Sequence, residues 1–357
     1  MHASTLDSLD HEDHDAATLL ARTRQLVDPA LRAAVATLPA GMRRISAYHF
    51  GWQQADGSPA AADAGKAIRP ALVLAAARAF APEAAATSFV ASATAIRPAA
   101  AVELVHNFTL LHDDVMDRDA TRRHRPTAWA VFGAPDAILA GDTLHALALR
   151  LLAEDPHPAS RPAAARLAAC VIELCEGQHA DCAFETRERV ALPECLEMAR
   201  AKTGALLGTA CALGALYAGA GPEAVDAMDA FGRQVGLAFQ LVDDLIGIWG
   251  DPAVTGKPAG SDLAARKKSL PVVAALTEAG PAADRLAALY REPGALTPAQ
   301  IHAAAEAVEQ AGGRAWAQVQ AAEHMSAAIE YLSRAAPGLE AAGDLLTLAE
   351  LVTRRDR

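Results

Sequence analysis

Apolar residues recur at three- and four-residue intervals along most of the chain, the spacing that gathers them on one face of an α-helix. Helical segments are predicted at roughly 16–38, 66–81, 98–118, 136–155, 160–188, 193–219, 222–249, 266–279, 297–313, 315–335 and 338–354. Breakers separate them: Pro82, Pro98, Gly133 to Pro135, Pro156 and Pro158, Pro193, Gly219 to Pro222, and the stretch from Pro252 to Gly260. Long stretches lack alternating β-branched patterns, so strands are not expected. Alanine, the best helix former, dominates the composition. No Gly/Ser linker and no short repeat divides the 357 residues. The pattern predicts a single all-α domain.

Thr203 to Pro222 is uncharged for 20 residues, long enough to cross a bilayer. It is rich in Ala and Gly rather than Leu, and Lys202 precedes it. A closely packed buried helix is therefore expected, and no membrane span.

Composition narrows the classes further. At 52% hydrophobic the chain can build a sizeable core, and its net charge of -11 argues against general nucleic-acid binding. A local basic patch for phosphate stays compatible with that charge. Cys170, Cys175, Cys182, Cys195 and Cys211 have no CxxC spacing. Their odd number reads as reduced thiols of a cytoplasmic protein. The first residues carry His2, Asp7, Asp10, His11, Glu12, Asp13 and His14, without a basic-then-apolar signal pattern. Residues 1–25 are expected to be a disordered leader, with a metal-binding or partner-tethering tail as the other reading, and residues 26–357 the folded domain.

Two acidic clusters carry the candidate chemistry. Asp113, Asp114 and Asp117 follow Leu110-Leu111, and Asp243-Asp244 follow Leu241-Val242 about 130 residues later. Asp113 and Asp117, four apart, share a helix face where like charges repel. A carboxylate pair at the end of an apolar run is costly unless something cationic neutralises it. Mg²⁺ prefers such oxygens and bridges them to substrate phosphates. Either pair alone would be commonplace at a helix end; two in one chain point to a divalent-metal site. Cations accompany them. Lys66 and Arg69 stand three apart at a predicted helix start, able to face one anion. Arg122-Arg123-His124-Arg125 follows the first cluster in a loop, and Arg forks suit phosphate. Lys202, Thr203, Gln240, Lys257 and Lys267 add polar groups in apolar or Gly-rich surroundings.

In order, the chain reads GKAIRP, ELVHNFTLLHDDVMD, RRHRPT, EGQHAD, AKTGALL, FQLVDDLIG and GDPAVTGKPAGSDLAARKKSLP. These motifs resemble those of the trans-isoprenyl diphosphate synthases, the polyprenyl synthetase family, over about residues 40–355. The resemblance implies an isoprenoid-synthase helical bundle around a central cavity, usually a homodimer. It implies that Mg²⁺, three per active site with Mn²⁺ as a substitute, holds an allylic diphosphate between the two aspartate clusters. The allylic C–O bond ionises, the double bond of isopentenyl diphosphate attacks, and a proton is lost. By the same resemblance Asp113, Asp117 and Asp243 are metal ligands, with Asp114 and Asp244 supporting them. Lys66, Arg69, His106 and Arg123 match positions that hold isopentenyl diphosphate. Arg122, Lys202, Lys257 and Lys267 match those around the allylic diphosphate, and Thr203 and Gln240 those near the reacting carbons. Arg354 to Arg357 resembles a basic tail that helps close the site.

The chain departs from the pattern at three places. Gly247 stands where a third aspartate is usual, Ala67 where an Arg is common, and His124 where a Gly is usual. Product length is set in this family by the residues four and five before the first cluster, here Thr109 and Phe108. Phe108 as pocket floor implies a short product, of twenty carbons first and fifteen second. A terpene cyclase of the same helical class, or a non-catalytic regulatory subunit, are the competing readings. The matched isopentenyl diphosphate positions argue against the cyclase, and the complete first cluster argues against the subunit.

Overall fold

The carboxylate of Asp15 accepts from the Thr18 amide at 3.2 Å and caps the first helix, α1 (Ala16–Ala36). The computed structural model describes residues 15–60, 65–81, 93–251, 259–336, 338 and 342–353. Residues 16–25 are therefore helical, which corrects the expected leader boundary. Apolar Leu19, Leu20, Val27 and Leu31 repeat at helical spacing and are buried, so this segment has a face to bury. The acidic residues before Asp15 lie outside the described residues.

The helices that follow are α2 (Ala40–His49), α3 (Ile68–Ala79) and α4 (Ile96–Met116). A two-stranded hairpin comes next, β1 (Thr121–Arg122) and β2 (Arg125–Pro126), antiparallel with Arg122 opposite Arg125. Then come α5 (Ala128–Phe132), α6 (Ala134–Ala153), α7 (Ser160–Thr186), α8 (Leu192–Ala199), a π-helical turn (Arg200–Gly204), α9 (Ala205–Tyr217) and α10 (Pro222–Trp249). The series ends with α11 (Ser261–Ala264), α12 (Leu270–Thr277), α13 (Pro281–Arg291), α14 (Pro298–Gln310), α15 (Gly313–Ala335) and α16 (Gly343–Thr353). The all-α class stands. Pro98 does not interrupt α4 because it falls in the first turn, where an amide hydrogen has no intrahelical partner.

The chain divides into two compact units drawn from interleaved stretches. One comprises Met1–Val171, Thr209–Asp229 and Leu332–Leu348; the other comprises Ile172–Gly208, Ala230–Tyr331 and Ala349–Arg357. In the first unit α4 packs along α6 and α3. Leu72 and Val73 of α3, Leu104 and Leu111 of α4, and Leu144 and Leu152 of α6 are fully buried. In the second unit Leu237, Leu241, Val242 and Leu245 of α10 pack with Cys195 and Met198 of α8, Leu270 and Val273 of α12, and Ala317 of α15. A neighbouring cluster joins Ile248 to Val272, Leu286, Ala304 and Val308.

The uncharged stretch is a buried helix, as its composition suggests. Ala205, Leu206, Leu207, Ala210, Cys211, Ala212 and Leu213 are all buried. Small residues allow the close approach: a Cβ on Gly236 of α10 would lie 2.7 Å from the Gly204 Cα. Among the described residues no helix is long and apolar enough to cross a membrane.

Candidate active site

In the first unit, α4 carries Glu103, His106, Phe108, Asp113 and Asp114, and ends with Asp117 as its C-cap. Asp114 is buried, Asp113 half-buried and Asp117 exposed. Arg122, from β1, donates through Nε and Nη2 to Asp114 Oδ1, both at 2.7 Å. Asp114 Oδ2 is buried with no hydrogen-bond partner among the described residues. Burial pushes the Asp114 carboxyl up to about 6, against the pull of Arg122.

The hairpin places the rest of the arginine run. Its two-residue loop is Arg123-His124, with φ of 50° and 59°. A hairpin this tight calls for left-handed backbone at both positions, which explains why Gly is usual at 124; His124 holds the conformation with strain. Arg125 is structural: it donates to the Tyr48 and Gln53 carbonyls at 3.1 and 3.2 Å. Arg123 reaches back over Gly65, where a Cβ would lie 2.8 Å from its guanidinium carbon. Only a glycine lets that guanidinium sit on the backbone here. Lys66 follows and is exposed. The helix starts at Ile68 rather than 66, because Ala67 takes a left-handed φ of 55°. Lys66 thus lies on the loop and Arg69 in the first helical turn, a correction to the expected pair on one helix.

Arg69 Nη1 stands 3.2 Å from His106 Nε2. A guanidinium only donates, so Nε2 accepts and the imidazole is neutral. Burial, then Arg69 and Arg123, hold its pKa well below the usual histidine value. Beneath it Glu103 is buried and receives the Asn107 amide at 3.0 Å. Burial pushes this carboxyl up to about 7, with Arg69 opposing. Phe108 is buried too, edge-on to His112 at 4.8 Å and nearly parallel to His145 of α6 at 5.3 Å.

In the second unit the π-helical turn presents Lys202 and Thr203, and such bulges concentrate at functional sites. Lys202 Nζ pairs with Asp181 Oδ2 at 2.6 Å. Thr203 Oγ1 donates to Gln240 Oε1 at 2.7 Å, and Gln240 Nε2 donates to Asp244 Oδ1 at 2.8 Å. Asp244 Oδ2 accepts from the Leu270 amide at 2.8 Å. Asp244 is therefore buried and fully engaged, while its neighbour Asp243 is exposed. Burial raises the Asp244 carboxyl to about 6. Lys267 Nζ lies 4.0 Å from Asp244 Oδ1. Burial disfavours its charge, but Asp244, Asp262, Asp181 and Asp243 together hold its pKa above the usual lysine value.

Gly247 lies one turn beyond Asp243, on the same face. A Cβ at Gly247 would meet the Asp262 carboxylate, 2.5 Å from its Cγ. The place of the usual third aspartate is already taken by Asp262, carried in from α11. Lys257 and Arg354 to Arg357 lie outside the described residues.

The carboxylates suit a divalent ion. Asp113, Asp117 and Asp243 keep exposure while each pair's second acid is buried. Among the described residues no three acids, histidines or cysteines converge tightly enough to hold an ion by themselves.

The sequence profile described as Polyprenyl synthetase matches residues 58–308. The chain belongs to the polyprenyl synthetase family. It is 49% identical over 340 residues to a geranylgeranyl diphosphate synthase of Mycobacterium tuberculosis, covering 95% of this chain and 93% of that protein. It is 44% identical over 340 residues to a (2E,6E)-farnesyl diphosphate synthase of the same organism, covering 94% and 92%. The crystal structure of a polyprenyl synthetase from Streptomyces coelicolor superposes with a TM-score of 0.89 at 44% identity, covering 95% of this chain and 99% of that one.

The polyprenyl synthetase chain also sets acids beside these candidates that the sequence alone does not single out. Asp181 and Asp262 sit inside the motifs EGQHAD and GSDLAARKK, but only the fold brings them to Lys202 and Gly247. Glu103 gave one signal, an acid inside the apolar run AAAVELV.

Proposed function

We propose that this chain is a short-chain trans-prenyltransferase that extends an allylic diphosphate with isopentenyl diphosphate and stops at twenty carbons. The observation that carries the reading is the division of labour in both aspartate pairs. The outer acid keeps access to solvent, Asp243 exposed and Asp113 half-buried, and the inner one is buried and tied to a neighbouring element. Such a pair fixes one carboxylate as scaffold and leaves the other for metal-bound diphosphate. The named relatives are diphosphate synthases, and the cyclase and regulatory-subunit readings gain no support from them.

A divalent ion, Mg²⁺ or Mn²⁺ in its place, supplies Lewis-acid charge to the leaving diphosphate when bound. Asp113 and Asp117 of the first unit and Asp243 of the second are the carboxylates that would hold such ions, three in all. Asp114 and Asp244 keep those ligands in position. Lys66, Arg69 and Arg123 bind the diphosphate of isopentenyl diphosphate by charge-assisted bonds, and neutral His106 orients the Arg69 fork. Arg122, Lys202, Lys257 and Lys267 offset the charge of the allylic diphosphate. Thr203 gives its one proton to Gln240, so its oxygen lone pairs serve the positive charge that develops on the allylic carbon.

Phe108 closes the tail pocket. It lies five residues before Asp113, about 7.5 Å along the helix axis, and it is buried. The higher identity to the geranylgeranyl than to the farnesyl synthase favours twenty carbons over fifteen. The enzyme acts in the cytoplasm as a homodimer. The supporting feature is the outer stripe of α6, where Ile138 and Leu139 are 41% and 52% exposed.

The test is a product assay. Purified protein is incubated with Mg²⁺, isopentenyl diphosphate and each allylic primer in turn, and the prenyl alcohols are identified after phosphatase treatment. Geranylgeraniol is the expected product. Farnesol would move the floor up by one unit, and absence of elongation with every primer would overturn the synthase reading.

A further inference from the structure

Gly65, Lys66 and Ala67 lead into α3, and the backbone is left-handed on both sides of Lys66. Gly65 has a φ of 95° and Ala67 of 55°. That region is costly for a residue with a side chain, so Ala67 keeps it only where neighbouring elements hold the segment. Two arginines do so from distant parts of the sequence. The Arg123 guanidinium, from the hairpin, lies over Gly65. Arg24 of α1 donates through Nη2 to the Gly65 carbonyl at 2.6 Å, 41 residues away in the chain.

Arg24 has another candidate partner close by. Asp28 stands one turn further along α1, where burial raises its carboxyl and Arg32 and Arg24 oppose the rise. An arginine and an acid four apart on a helix commonly pair, yet the Arg24 hydrogen bond runs to Gly65. Both ends of that bond line a small cavity walled by Val27, Leu31, Phe50, Trp52 and Pro70. In apolar surroundings a charged donor binds a carbonyl more strongly than it does in water. The bond also has a chemical use. A diphosphate carries acceptors alone, so an unclaimed carbonyl beside Lys66 would repel it. Arg24 takes that carbonyl up, and the neighbouring Lys66 stays exposed.

We propose that Arg24 is a positioning residue for isopentenyl diphosphate. By holding the Gly65 carbonyl it fixes the backbone from which Lys66 extends and the seat on which Arg123 rests. The inference rests on the reading of Lys66 and Arg123 as ligands of that diphosphate. Arg24 acts through the backbone and not on the substrate. It brings α1 into the site, through a residue that the sequence alone assigns to a leader. The allylic diphosphate is gripped from other elements, so its binding should not depend on Arg24.

The experiment measures initial rates of the full chain with Mg²⁺ and reads the KM for isopentenyl diphosphate and for the allylic diphosphate separately. The variants are Arg24→Ala, Arg24→Gln, Arg24→Lys, Lys66→Ala and Arg24→Ala/Lys66→Ala. Loss of one charge-assisted bond should raise the KM for isopentenyl diphosphate about tenfold in Arg24→Ala. The KM for the allylic diphosphate and the product length should not change. Arg24→Lys keeps a charged donor and should recover part of the rise. On the Lys66→Ala background the Arg24→Ala step should be smaller, because residues acting through one segment are not additive. A role in stability alone would lower the active fraction and leave each KM as it was. Should Arg24→Ala not fold, Arg24→Gln decides by the same two KM values. A wild-type chain that elongates, with the KM for isopentenyl diphosphate unmoved in the variants or both KM values shifted alike, would overturn this inference alone. A wild-type chain that never elongates would overturn the synthase reading, and this inference with it.

Discussion

Single carboxylates decide most of what this site can do, and two of them make separate predictions. Asp113 stands beside Asp114 and one turn from Asp117, a spacing at which like charges repel. Asp113→Asn should lower turnover by about two to three orders of magnitude, the scale of losing one preorganised charge-stabilising group. The variant should keep the wild-type helix content, so that the loss is one of turnover and not of fold. Near-full activity would mean that the metal assignment is wrong. Glu103 makes its case through pH. Its folded pKa, about 7, lies above the ordinary 4.5. Between those values the folded chain binds more protons than the unfolded one, so stability falls as pH rises through the window. The difference is worth on the order of 3 kcal/mol. Glu103→Gln, without ligand, should melt with wild type at pH 4.5 and clearly above it at pH 8. Parallel melting curves across that range would remove Glu103 as an ionisable burden.

At the scale of elements, what could be read in advance was periodicity, and what could not was proximity. The long amphipathic helices stood out: 160–188 and 222–249 match α7 and α10 closely. The helices α2 and α13 were missed because each is short and follows a Pro or Gly that reads as a turn. The segment 193–219 was read as one helix because a π turn leaves no mark in an apolar pattern. It separates α8 from α9 all the same and so places Lys202 and Thr203. In the site, the acid types were legible, whereas their burial was not. Nothing in Asp113-Asp114 or Asp243-Asp244 distinguishes the outer acid from the inner one until Arg122 and the Leu270 amide arrive from other elements. Gly247 is the sharpest case. From sequence it is a missing ligand; in the fold it is the clearance for Asp262. Restoring the usual residue with Gly247→Asp should therefore harm the protein. Overpacking of this kind costs about 1–3 kcal/mol, and a further like charge joins a crowded acidic cluster. A lower melting temperature and lower activity are expected, with the temperature partly recovered by Asp262→Ala in the same chain. A Gly247→Asp enzyme that is as stable and more active would show that Asp262 yields easily.

For the whole molecule, the outer face of α6 is where assembly can be put at risk. The helix buries Ala137, Ala140, Leu144, Leu147 and Ala148, and its opposite stripe shows Ile138, Leu139 and Ala146 to solvent, together with Asp142 and Arg150. A helix that only coats a soluble surface has little reason to turn two large aliphatic side chains outward together. A second copy of the same helix is a self-complementary partner for such a stripe, because a two-fold axis pairs each residue with its own counterpart and like patches meet. The net charge of -11 opposes association of two copies, so apolar burial has to outweigh it and higher salt should strengthen the dimer by screening. Light scattering coupled to size exclusion should give twice the chain mass. Leu139→Glu would bring two added carboxylates face to face across the axis and should shift the population to monomer while each chain stays helical. The same α6 carries His145 about one and two-thirds turns further on, against Phe108. Loss of the dimer should therefore loosen the tail pocket and broaden the product lengths, whereas a Leu139→Glu chain that stays dimeric would place the interface elsewhere.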